Sequence, residues 1–177
     1  MSGVLVIRGQ AAGPTRAPLQ AYELLIQTGE HDWPEDHFSD HVNNARYFAF
    51  INAAFQGWYR ETGLRDRSAS HSAVMARSEW YFRKEVKPPA RVLCRIEVVK
   101  VGRASLVHSV RIVDLGSGPA AATEATPIAE LPLAGEGQVT HVYVERASKS
   151  SYPWPAPLLA RIWSGEPLSA QPASTPS

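Results

Sequence analysis

The sequence predicts an α+β domain in which antiparallel sheet is wrapped about one long helix, and three observations carry that prediction. From Asn44 to Thr62 there is no Pro and a single Gly, and Phe48, Ile51, Phe55 and Trp58 recur at helical spacing. After that stretch the strand-like runs come in a block, where an alternating βαβ chain would return to helix between them. Before it there is one strand-like run, Ala21 to Thr28.

Residues 1–19 begin with a short apolar run, Val4 to Ile7, far shorter than a signal-peptide core, and pass into a Gly/Ala/Pro stretch. They are read as an N-terminal extension. The first strand, AYELLIQT, puts Tyr22, Leu24 and Ile26 on one face, and it leads into GEHDWPEDHFSDH, whose Gly and Pro mark a loop. On the helix, Tyr47, Phe50 and Ala54 form a second apolar row beside the first, leaving Arg46, Asn52, Gln56 and Arg60 as its polar residues. A helix so covered is expected to be buried. Ser39, Asp40 and Asn43 are all suitable N-caps, and Gly63 is placed for a left-handed C-cap.

Three strands are expected next, Ala73 to Val86, Arg91 to Val101 and Ala104 to Leu115, separated by Lys87-Pro88-Pro89 and by a Gly102-Arg103 turn. The simplest arrangement makes them neighbouring antiparallel strands. A short strand is expected near Ile128 to Leu133, a closing strand over Gln138 to Glu145, and a terminal helix over LLARIW with prolines at its start. The domain is set at residues 20–164, and 165–177 is read as a disordered tail from its composition.

With 44% hydrophobic and 20% charged residues, 177 residues suit one globular domain with a sizeable core. A net charge of +1 without a dominant basic cluster argues against a nucleic-acid partner, and no stretch is long and apolar enough for a membrane span. Cys94 is the lone cysteine and alternates with Val92, Ile96 and Val98. It is read as a core residue of a cytoplasmic protein, with no activating partner near it in sequence.

The chemistry-bearing residues crowd at the start of the helix: Asp36, His37, Asp40, His41, Asn43 and Asn44. Unpaired amides and a partial positive charge at a helix N-terminus suit the polarisation of a carbonyl, and a carboxylate or imidazole beside them suits the activation of water. The plainer reading is a set of capping groups in a surface loop. His31 with Asp32, and His37 with His41, also raise the question of a zinc site.

The string HVNNARYFAFINAA, His41 to Ala54, resembles the helix-start motif of the hot-dog-fold thioesterases, the 4-hydroxybenzoyl-CoA and acyl-ACP thioesterase group. In that family an Asp-x-Asp-x-x-Gly-His-Val-Asn-Asn-x-x-Tyr pattern opens the central helix, and His41, Val42, Asn43, Asn44 and Tyr47 match it. Asp40 stands where the family usually has Gly, and His37 where it has the catalytic Asp. The resemblance implies a hot-dog fold, a curved antiparallel sheet around one long central helix, and hydrolysis of an acyl-CoA or acyl-ACP thioester. It carries the general base or nucleophile to Asp36, with Asp40 in reserve and His41 or Asn43 orienting water or substrate. Backbone amides around Val42 to Asn44 would receive the thioester carbonyl, and His37, Tyr47 and Glu79 would border the substrate. The bland alternative for Glu79 is a solvated strand face. No metal is implied, and no cofactor beyond the coenzyme A or acyl carrier protein of the substrate, whose phosphates could meet Arg83, Lys84, Arg103, Arg146 or Lys149. A homodimer or larger homo-oligomer is implied too. Two other activities fit the same fold: an acyl-thioester binding protein without hydrolysis, and an enoyl-thioester hydratase or dehydratase.

Overall fold

A computed structural model describes residues 19–29, 40–64, 69–116 and 128–163. In chain order its elements are β1 (Ala21–Gln27), α1 (Asn44–Thr62), β2 (His71–Phe82), β3 (Arg91–Val101), β4 (Ser105–Gly116), a single 3-10 turn (Ile128–Glu130), β5 (Leu133–Glu145) and α2 (Ala156–Ile162). The helix has the bounds its capping residues predict. Asn43 is the N-cap and Gly63 the C-cap, at φ 80.

All five strands join one antiparallel sheet in the order β1-β3-β4-β5-β2. This corrects the expectation that the three strands after the helix are neighbours: β3 and β4 form a hairpin, whereas β2 lies on the far edge beside β5. The Lys87-Pro88-Pro89 junction supplies the reason, since two prolines offer no amides to a hairpin ladder. The segment instead crosses from one sheet edge to the other. It leaves β2 with the Arg83 and Lys84 amides on the Ala134 carbonyl, passes the helix start at Val86, and reaches the β1 edge where the Thr28 amide donates to the Ala90 carbonyl at 2.8 Å. Thr28 Oγ1 also bonds both the amide and the carbonyl of Ala90, so this end is pinned by a buried side chain.

Irregularities in pairing occur near Met75, Arg91, Val98 and Ile112. Bulges bend strands and increase their twist, which lets the sheet curl about α1. One face of the helix, including Tyr47, Ile51, Phe55 and Trp58, packs on the inward side chains of β1, β3 and β4, among them Leu24, Cys94 and Leu106. Phe48 departs from the expected fully buried helix. It is 45% exposed, on the side of α1 the sheet does not cover.

The strand expected at Ile128 to Leu133 is instead the 3-10 turn, and β5 starts earlier than Gln138. Its glycines are a consequence of close pairing. A Cβ on Gly137 would lie 2.0 Å from the Glu79 carbonyl oxygen, and one on Gly135 would enter the Trp80 ring. The terminal helix α2 has Pro157 in its first turn, and Arg161 donates to the Glu61 carbonyl at the far end of α1. Among the described residues no helix is long and apolar enough to cross a membrane.

Candidate active site

The helix start and the segment that crosses beneath it form the candidate site. Asn43 is an N-cap for the usual reason: its side-chain oxygen accepts from the Ala45 amide at 2.8 Å, satisfying a donor that the helix cannot. Its carbonyl accepts from the Arg46 amide. Val42 is fully buried, and its amide donates to the Val86 carbonyl at 2.8 Å. Among the described residues this leaves the amides of Asn43 and Asn44 without an acceptor, at the positive end of a nineteen-residue helix. The expected cradle of Val42 to Asn44 is thereby narrowed, because the Val42 donor is already used.

Beside these amides lies His41, partly buried. Its Nδ1 is 4.0 Å from Asp40 Oδ1 and 4.0 Å from Glu85 Oε1. Lys87 sits 2.5 Å from the other Asp40 oxygen, and this neighbour holds the Asp40 carboxyl below its usual range. One donor atom each from Asp40, His41 and Glu85 lie within 4.8 Å of one another, a set that a divalent cation could share, though Lys87 already occupies one side of Asp40.

Tyr47 lies below the helix start, 2% exposed, with its ring 5.2 Å from that of Phe82 and 6.2 Å from that of Trp80. Burial raises its phenol. Asn44 is exposed. Glu79 is not part of this group. Trp80 and Phe82 face Tyr47, so Glu79, one residue out of phase, stands on the opposite face of β2. There it accepts from Arg77 at 2.9 Å and from Tyr81 and borders an open cavity of about 330 Å³ with Arg83, Ser109 and Glu136, and its carboxyl is lowered by the Tyr81 hydroxyl. Asp36 and His37, with His31 and Asp32, lie outside the described residues.

Of the proposed coenzyme A cations, Arg83 pairs with Glu136 and, with Lys84, begins the crossing segment. Arg103, Arg146 and Lys149 lie at the other end of the sheet, where Arg146 donates to the His71 carbonyl. Glu85 and Lys87 were missed by reading the sequence, which set Glu85 within a strand running to Val86 and Lys87 in the Lys87-Pro88-Pro89 junction, whereas β2 ends at Phe82. Nothing in spacing links residue 85 to residue 41.

A family model for the thioesterase-like superfamily matches residues 28–162. The chain belongs to the thioesterase-like superfamily. Solved structures agree on its hot-dog fold. A candidate thioesterase from Pseudomonas aeruginosa is 26% identical, with a TM-score of 0.64 over 81% of this chain and 98% of that one. A 1,4-dihydroxy-2-naphthoyl-CoA thioesterase from Synechocystis is 13% identical, with a TM-score of 0.63 over 80% and 95%. A variant of 4-hydroxybenzoyl-CoA thioesterase, in complex with 4-hydroxybenzoyl-CoA, is 10% identical, with a TM-score of 0.65 over 81% and 99%. Among curated proteins none matches the sequence. In this thioesterase-like chain, the superfamily's helix start is the stretch whose amides, imidazole and carboxylates converge.

Proposed function

We propose that the protein hydrolyses an acyl thioester, carried on coenzyme A or an acyl carrier protein, to a free acid and a thiol. The observation that carries this reading is the pair of uncommitted amides, Asn43 and Asn44, at the positive end of α1 beside the His41 imidazole. A thioester carbonyl accepting from these two amides gathers negative charge where the helix favours it. Water attacks the polarised carbon with Asp36 as general base, Asp40 in reserve, and His41 or Asn43 orienting it. Lys84, on the crossing segment that passes the helix start, suits the phosphates of the carrier.

A homodimer is part of this reading. In support, β2 is a sheet edge of twelve residues, and Val74, Met75, Tyr81 and Phe82 on it are exposed. An edge so long and apolar is covered in most soluble proteins, and a second copy covers it by symmetry. The location is the cytoplasm, in keeping with one reduced, buried cysteine.

The test is thiol release across short, long and aromatic acyl-CoA thioesters, run with Asp36→Ala and Asp40→Ala. Turnover lost in Asp36→Ala supports the assignment of the base. Turnover unchanged in both variants removes both carboxylates from the mechanism, and no release from any thioester removes hydrolysis. Water addition to crotonyl-CoA in place of release would identify a hydratase.

A further inference from the structure

We propose that Glu85 is a positioning residue for His41: its carboxylate accepts a hydrogen bond from the imidazole Nδ1–H, leaving Nε2 bare to accept a hydrogen bond from the attacking water and so orient it. This rests on the thioester-hydrolase reading and gives that site its orienting group. Two carboxylates stand at the same 4.0 Å from Nδ1, but they are not equivalent. Asp40 is committed to Lys87 through its second oxygen, which offsets its charge. Glu85 has His41 as its one ion-pair partner among the described residues.

The backbone fixes the pair. His41 and Glu85 each precede one end of the Val42 amide to Val86 carbonyl bond, so a single 2.8 Å hydrogen bond sets the register between the two side chains. The segment carrying Glu85 is held again on both sides, by the Ala134 carbonyl before it and by Thr28 after it. At 4.0 Å the contact is longer than a hydrogen bond. The Glu85 side chain is 63% exposed and free to rotate, and such contacts tighten when substrate covers a site.

The chemistry balances without an added reactant. Water held by Nε2 gives its proton to the general base as its oxygen bonds to the thioester carbon. Collapse of the tetrahedral adduct breaks the C–S bond, and the general base returns that proton to the departing thiolate. Glu85 holds the tautomer throughout.

The experiment compares wild type with Glu85→Ala, Glu85→Asp, Asp40→Asn and Asp36→Asn in thiol release, and reads the His41 tautomer by nitrogen-15 NMR at alkaline pH. Expected for Glu85→Ala are a kcat lower by about tenfold or more, a KM changed less than about twofold, and loss of the Nδ1–H tautomer. Glu85→Asp should recover part of both, and in Asp40→Asn the Nδ1–H tautomer should persist. Unchanged kcat and tautomer in Glu85→Ala overturn the proposal, as does a loss of kcat seen in Asp36→Asn alone. If wild type releases no thiol, the hydrolase reading fails by itself. The tautomer still decides the pairing, because Nδ1–H persisting in Glu85→Ala shows that Glu85 does not hold it.

Discussion

His108 and His141 meet edge to face in the core, with ring centroids 5.2 Å apart and planes at 88°. Phe55 and Trp58 of α1 complete the enclosure of His108, and Phe55 and Tyr59 that of His141. Among the described residues neither ring nitrogen of His108 has a hydrogen-bond partner, nor has Nδ1 of His141. Burial therefore lowers both imidazoles, His108 well below its ordinary value and His141 to about 4. Tyr59 is the titratable side chain that α1 turns toward them, and burial keeps it protonated.

The pair predicts loss of stability in mild acid. The unfolded chain binds protons on these histidines near pH 6.5 and the folded chain does not, so stability rises with pH over this range. The contribution is complete above about 6.5 and declines as pH falls toward 4. For His141 the full drop corresponds to roughly 3 kcal/mol. Urea midpoints measured from pH 7.5 to 4.5 should fall, and more shallowly in His141→Phe. Parallel curves for the two proteins would refute this.

Gly137→Ala should destabilise the sheet. The new methyl meets the Glu79 carbonyl oxygen at 2.0 Å, a backbone atom that moves only if β2 moves. A loss of about 1–3 kcal/mol is expected, read as a lower melting temperature, with the largest gain in hydrogen exchange along β2.

Cys94 should ignore thiol reagents while the protein is folded. Its side chain is fully buried, and burial pushes the thiol up to about 12, so almost no thiolate exists at pH 8. Labelling by a disulfide reagent should be negligible in buffer and complete in denaturant. Rapid labelling of native protein would contradict this packing.

Val74→Lys should separate the proposed dimer. A lysine on the exposed edge strand opposes edge-to-edge pairing by charge and by hydration. Sedimentation is expected to give two copies for wild type and one for the variant, and a wild-type monomer at micromolar concentration would dispose of the dimer.

The helix was legible because Asn43 and Gly63 mark its ends and its apolar rows mark its middle. The inward faces of β1 and β3 were legible from alternation, as Leu24 and Cys94 show. What alternation does not carry is a strand's partner, and so nothing in the sequence places β2 beside β5. Phe48 misled for a related reason: helical spacing tells which residues share a face, and the cover over that face comes from elsewhere in the molecule. At the site, His41 and Asn43 stood out as a motif. Glu85 did not, because its approach to His41 depends on the route of the crossing segment.

The Val42 to Val86 hydrogen bond also bears on how such a site can change over generations. It registers the imidazole against a segment that comes later in the chain, so insertions or deletions upstream of Asp40 need not displace it. The leading half of the motif is thereby freed to drift in length and residue type while the trailing half stays in place.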